Sequence, residues 1–177
     1  MDAGIAWVDG NDPQHKAKVE RYMAVENVET SPNVIPSRYD SSGEIKYCVL
    51  SILKFAPYIH KIYIVCDDQN PTIEEVVALY FPNRLKDIIF VDHQELFEGY
   101  EKYLPVFNSR AIESMLWRLP NLSENYLYFN DDFFLIKPTV LTDWIRNNQQ
   151  VLRGKWKPIP LIRLLWHEVI TPKIKKF

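Results

Sequence analysis

The sequence predicts an α/β sandwich with a largely parallel sheet. Short apolar, β-prone runs alternate with helical patterns along the 177 residues, and polar residues follow each run directly. The predicted strands cover residues 5–8, 61–66, 87–91 and 126–129. In such sheets ligands bind beyond the carboxyl ends of the strands, so the residues that follow each strand are candidates for a site.

The segments between these strands carry helix signals. Asp12 can cap a helix that begins at Pro13 and continues to about Val25. Apolar spacing predicts further helices over residues 44–55, 72–80, 109–117, 139–147 and 161–170. Residues 29–43 and 96–107 are predicted to be long irregular segments, which are often functional. We expect residues 1–150 to form the core and 151–177 a short basic tail, which packs on the sheet, on a partner or at a membrane interface.

The composition of the chain argues against several classes of function. A net charge of −2 with scattered Lys and Arg gives no electrostatic case for nucleic-acid binding. We expect no transmembrane segment and no signal peptide, because no apolar run approaches about 20 residues and Met1–Gly4 lacks a basic start. Cys48 and Cys66 have neither disulfide-framework nor zinc spacing and are expected to be small core residues. These features are typical of a cytoplasmic protein.

The segment Asn130-Asp131-Asp132 interrupts nearly continuous apolar sequence. Two adjacent carboxylates are costly to bury without a partner. A divalent cation is one such partner, since Mg²⁺ is usually held by one or two carboxylates together with substrate phosphates. The alternative is an ordinary turn, for which Asn and Asp are common residues.

Four stretches of the sequence, taken together and in order, carry a resemblance to a known family. They are Ile5–Pro13 (IAWVDGNDP), Gly43–Val65, Leu104–Glu113 (LPVFNSRAIE) and Leu122–Phe134, which closes with NDDFF. Over about residues 3–138 the chain resembles the Stealth family of sugar-phosphate transferases. The resemblance implies a Rossmann-like or GT-A-like nucleotide-sugar core and a divalent cation, Mg²⁺ or Mn²⁺. It also implies transfer of a sugar 1-phosphate from a UDP- or GDP-sugar to a glycan hydroxyl in capsule or surface-polysaccharide synthesis.

The sequence departs from the family pattern after residue 138. Members continue into third and fourth conserved regions, the third with a histidine beside a proline-containing segment. Here Lys155–Pro160 resembles that segment, but His167 follows the prolines instead of preceding them. We therefore expect the usual C-terminal regions to be lacking, or the site to be completed by another chain. Two alternatives stay open: a glycosyltransferase that transfers sugar without phosphate, and a nucleotide-sugar-binding module that is catalytically incomplete.

We predict roles in this chemistry for four residues that end or follow a strand. Asp131 and Asp132 are predicted metal ligands with a catalytic role, and Asn130 is predicted to contact substrate. His93 is a candidate general base, since its pKa suits proton transfer, although a lone histidine is more often structural.

Further substrate-binding candidates come from loops and turns, each with a structural alternative. Those after strands are Asp9, Gly10, Asp67 and Gln69, for which the alternative is a tight turn. Arg38 lies in the irregular segment 29–43, and solvent exposure is its alternative. Asn108, Ser109 and Arg110 lie at the beginning of a predicted helix, for which the alternative is helix capping. A group of aromatic residues is expected to pack in the core, with stacking on sugar as the alternative: Tyr100, Tyr103, Phe107 and Trp117.

Overall fold

A computed structural model describes residues 1–26 and 41–155. Residues Met1–Val140 form one compact unit, and the chain from Leu141 onward belongs to a second. Arg38 and the helix predicted over 161–170 lie outside the described residues.

The first unit contains a four-stranded sheet in which all strands are parallel. The strands are β1 (Asp2–Ala6), β2 (Ile62–Cys66), β3 (Ile88–Asp92) and β4 (Tyr126–Asn130), in the order β3-β2-β1-β4. Ala6 pairs with Val65 and Asn130, and Cys66 pairs with Asp92, so the carboxyl ends of the four strands are level. The predicted fold class is confirmed; β1 begins earlier than the sequence predicts.

Five helices flank or border this sheet in the described part of the chain. They are α1 (Pro13–Glu26), α2 (Glu44–Phe55), α3 (Glu74–Tyr80), α4 (His93–Leu96) and α5 (Ser109–Met115). The side chain of Asp12 accepts a hydrogen bond from the backbone N–H of Gln14 at 2.8 Å, which confirms the predicted cap of α1. Three short 3₁₀ segments connect the elements: Pro82–Asp87, Glu101–Tyr103 and Leu116–Arg118.

The continuous apolar sequence of β2 follows from burial on both faces of the sheet. Ile62, Ile64 and Cys66 face one apolar cluster, which includes residues of α2, and Tyr63 and Val65 face another, which includes residues of α5. Neighbouring strand residues thus lie in different cores.

Both cysteines are buried and reduced, as predicted. Burial raises the pKa of the Cys48 thiol to about 12 and that of Cys66 to about 11, so both stay protonated at neutral pH.

The prediction of a helix over residues 139–147 is wrong. The chain forms a 3₁₀ turn at Leu141–Asp143 and then a hairpin of β5 (Ile145–Arg146) and β6 (Gln149–Gln150). Asn147 and Asn148 between these strands take positive φ angles of 51° and 59°. A two-residue hairpin turn requires that conformation, and asparagine tolerates it better than most residues do.

No helix within the described ranges is both long and apolar enough to cross a bilayer.

Candidate functional site

A cleft of about 420 Å³ lies at the carboxyl edge of the sheet. Every strand of the sheet contributes to it at or just beyond its end, as parallel topology predicts. The contributing residues are Ala6 to Val8, Asp67, His93 and Asn130 to Asp132, joined by His15, Glu44, Val106, Phe107, Ser109, Ile112 and Tyr128. Six of the residues predicted from sequence therefore meet in one place: Asp67, His93, Ser109, Asn130, Asp131 and Asp132.

Asp131 and Asp132 are both in a turn and on the cleft wall. The backbone N–H of Phe133 donates to the carbonyl of Asn130 at 3.0 Å, which closes the turn after β4. Neither carboxylate forms an ion pair with a cation among residues 1–26 and 41–155. The turn and the metal interpretation are thus compatible, since the turn bends the chain so that both acids reach the cleft.

The environment of Asp131 disfavours its charged form. Burial is the main cause that raises its pKa to about 6, and the neighbouring charges of Asp132 and Glu44 add to the rise. Backbone N–H groups of Asp131 and Asp132 offset part of it. A carboxylate in this state gains strongly from a nearby positive charge.

The acidic group fits a divalent cation that arrives with a phosphorylated substrate. Within the described residues no set of three or more His, Cys, Asp or Glu side chains has the geometry of a complete metal site. Mg²⁺ does not need such a set, because one or two carboxylates commonly share it with substrate phosphates and water. Asp131 and Asp132 would hold the ion, and Glu44 lines the same cleft.

His93 occupies the opposite side of the cleft and is buried, with 5% of its surface exposed. Neither ring nitrogen has a hydrogen-bond partner in the described part of the chain. Burial lowers its pKa, although the nearby carboxylates of Asp67 and Asp92 oppose that effect. Asp67 itself accepts a hydrogen bond from Lys18 Nζ at 2.8 Å. His93 is therefore neutral at pH 7, which is the form that a general base requires.

Asp9, Gly10 and Gln69 lie outside this cleft. Gln69 Nε2 donates to the carbonyl of Asp9 at 3.0 Å and to Asp12 Oδ2 at 2.9 Å, and Gln69 Oε1 accepts from the N–H of Asp9 at 3.0 Å. Asp9 Oδ1 accepts from the N–H of Asn11 at 2.9 Å, and Gly10 is buried in the same turn. Asp9 and Gln69 line a separate, more open pocket that shares Trp7 with the cleft.

Of the three candidate residues at the beginning of α5, one lines the cleft and two do not. Ser109 lines the cleft, whereas the Asn108 side chain accepts from the N–H of Arg110 at 3.0 Å and caps the helix. Asn108 and Arg110 are exposed and do not line the cleft.

The expected core packing of the aromatic group is wrong for three of its members. Tyr100, Tyr103 and Trp117 are exposed, and the guanidinium of Arg118 lies over the rings of Tyr100 and Trp117. Phe107 lines the cleft and packs edge-on against His15 and Tyr22.

Sequence reasoning missed several residues of the cleft, chiefly His15, Glu44 and Tyr128. His15 is in the first turn of α1 and Glu44 is the first residue of α2. Helices that connect parallel strands begin at the edge where the strands end, so their first turns were a usable signal. Burial lowers the pKa of His15, with the charge of Asp67 opposing it. For Tyr128, burial is the main cause that raises the pKa to about 12.

A parallel sheet with a polar cleft at its carboxyl edge is the architecture of Rossmann-like nucleotide-binding proteins. The family model that matches this chain is Stealth protein CR2, conserved region 2, over residues 38–152. The chain therefore belongs to the Stealth family, as the sequence motifs predict.

Curated relatives agree with this assignment. The chain is 35% identical over 139 residues to the capsular polysaccharide phosphotransferase cps1A of Actinobacillus pleuropneumoniae, covering 77% of this chain and 36% of that protein. It is 37% identical over 146 residues to the receptor polysaccharide phosphotransferase WefC of Streptococcus oralis, covering 81% and 41%. It is 35% identical over 150 residues to the capsular polysaccharide phosphotransferase LcbA of Aeromonas hydrophila, covering 84% and 39%. The chain thus spans 36–41% of the length of these three relatives.

Proposed function

We propose that this chain carries the nucleotide-sugar site of a phosphotransferase that moves a sugar 1-phosphate onto a glycan hydroxyl. The observation that carries the proposal is the carboxylate pair Asp131 and Asp132, which lines the cleft at the end of β4 without a cationic partner in the described residues. The names of the relatives support the reaction class, since each is a polysaccharide phosphotransferase. The donor is a UDP- or GDP-sugar, and the acceptor is a capsule or surface glycan that the enzyme meets on the cytoplasmic side.

In this reaction an acceptor hydroxyl oxygen attacks the phosphorus that bears the sugar. The bond from that phosphorus to the bridging oxygen breaks, and the nucleoside monophosphate leaves with that oxygen. The hydroxyl proton passes to a base, for which His93 offers a neutral imidazole at the cleft wall. A bound Mg²⁺ or Mn²⁺ would supply charge neutralisation for the diphosphate. Ser109 and Asn130 line the cleft and would orient hydroxyl or phosphate oxygens.

The fate of the nucleotide distinguishes this proposal from glycosyl transfer. With UDP-sugar donors and a capsule-type glycan acceptor, the proposed reaction releases UMP and produces a phosphodiester signal in the ³¹P NMR spectrum of the product. Release of UDP with no phosphodiester would show transfer of the sugar alone and would refute the proposal.

A further inference from the structure

A pocket of about 500 Å³, separate from the open pocket at Asp9 and Gln69, shares His93 and Asp67 with the cleft. These two residues line both cavities and therefore form the wall between them. The pocket lies between α1 and the beginning of α4, and its lining is completed by Lys18, Arg21, Tyr22, Gln94, Leu104 and Pro105. Neither the sequence motifs nor the proposed reaction assigns it a role.

The charged groups of this pocket favour an anion. Lys18 and Arg21 supply two positive charges against the single carboxylate of Asp67. Lys18 Nζ is 2.8 Å from Asp67 Oδ2, and the Asp67 side chain is only 13% exposed, so its charge is already compensated. Arg21 is exposed and forms no ion pair within the described ranges. A guanidinium group suits phosphate oxygens because its N–H groups form a planar fork.

His93 gives a second, independent indication. His93 is buried, with 5% of the residue exposed, yet neither ring nitrogen has a partner among the described residues. Buried polar groups in folded proteins are nearly always hydrogen-bonded, and an unsatisfied one costs free energy. A neutral imidazole carries one N–H donor and one acceptor nitrogen. An oxyanion in the pocket at Lys18 and Arg21 would satisfy the donor and leave the other nitrogen available to the cleft.

We propose that Lys18, Arg21 and His93 form a subsite for a phosphate-class anion beside the cleft. A metal ion is the poorer occupant, because the one carboxylate in the lining is already paired with Lys18. The subsite goes beyond the proposed reaction and does not depend on Asp131 or Asp132.

The test is a titration of the ¹⁵N-labelled protein with inorganic phosphate at constant ionic strength, followed through the imidazole resonances of His93. The matched variants are Arg21→Ala and Lys16→Ala, which each remove one exposed cation from α1, and Lys16 does not line the pocket. We expect a saturable shift of the His93 signal, affinity weakened about tenfold or more in Arg21→Ala, and no change in Lys16→Ala. Absence of saturable binding, or equal weakening in both variants, would overturn the proposal.

Two further experiments distinguish the possible sources of the anion. If the subsite holds the phosphates of the nucleotide, UDP competes with inorganic phosphate for the His93 shift. If it holds a free phosphate or a phosphate on the acceptor, the two bind together. Repeating the phosphate titration on the variant Asp131→Asn with Asp132→Asn keeps the two proposals apart, since the subsite predicts unchanged phosphate binding there.

Discussion

The chain places acidic residues after β1 and after β4, and the two turns use them in opposite ways. After β1, Asp9 and Asp12 accept hydrogen bonds from backbone N–H groups and from Gln69. After β4, Asp131 and Asp132 line the cleft without a cationic partner in residues 1–26 or 41–155. The two turns differ because the Gln69 side chain holds Asp9 and Asp12 by hydrogen bonds, whereas Asp131 and Asp132 line the cleft.

The pKa values of the acidic residues also differ between the two turns. The side-chain hydrogen bond from Gln69, followed by the backbone N–H of Gln14, lowers the pKa of Asp12. Burial, followed by the charges of Asp132 and Glu44, raises the pKa of Asp131 to about 6. Asp12 is therefore stabilised as a carboxylate by the fold, whereas ionised Asp131 destabilises the fold.

The largest expected effect comes from removing both charges after β4. The variant Asp131→Asn with Asp132→Asn should lose about 100- to 1000-fold in phosphotransfer rate, since a cation contributes several kcal/mol to charge stabilisation. The measurement is nucleoside monophosphate release under saturating donor. Asp68→Asn serves as the control, because Asp68 is an exposed acid after β2 that does not line the cleft. Comparable losses in the two variants would show that the effect is not specific to the acids after β4.

The second-largest effect is expected for Gln69, whose side chain holds the turn after β1. Gln69→Ala removes three hydrogen bonds that hold Asp9 and Asp12, and should lower the free energy of unfolding by about 1–3 kcal/mol. Urea denaturation measures the change. Gln14→Ala is the matched amide control on α1, and an equal loss there would contradict the proposed structural role of Gln69.

A smaller effect should appear in the pH dependence of stability. The pKa of Asp131 is raised from 3.8 to about 6 in the folded protein, so the native state holds this proton more tightly than the unfolded chain does. Its contribution to stability is present below about pH 4 and is lost as the pH rises through about 6. Asp131→Asn removes this term and should be more stable than the parent at pH 7, by on the order of 1 kcal/mol after solvent screening. Urea denaturation from pH 4 to pH 7 tests it, and parallel profiles for the two proteins would show that Asp131 is not perturbed.

The smallest effect is expected for Asp12→Asn. Asparagine caps a helix about as well as aspartate, so the bond to the Gln14 N–H survives and only the contact with Gln69 weakens. We expect a decrease in the free energy of unfolding, measured by thermal unfolding, that is smaller than the decrease for Gln69→Ala. A loss as large as that of Gln69→Ala would indicate that the charge of Asp12, and not the amide of Gln69, holds the turn.

The sequence predicted the sheet well because its signals are local. The apolar run of β2 and the spacing of α2, which ends before Pro57, require no knowledge of distant residues. The helix predicted over 139–147 failed because Asn147 and Asn148 adopt the left-handed conformation of a hairpin turn. Apolar spacing does not report that preference.

The candidate site was predictable only in part. The position of Asp131 and Asp132 at a strand end followed from the motif, and the structure places both at the cleft. That Asp9 would be held in its own turn depended on Gln69, which is 60 residues away in sequence. Such a contact arises from the pairing of β1 with β2, so local pattern could not separate the two acidic turns.

The central claim is that Asp131 and Asp132 hold a divalent cation together with a nucleotide diphosphate. Calorimetric titration of UDP- and GDP-sugars with and without Mg²⁺ tests it most directly. We predict Mg²⁺-dependent binding in the parent and in Asp68→Asn, and its loss in the variant Asp131→Asn with Asp132→Asn. Unchanged Mg²⁺-dependent binding in that variant would contradict the claim.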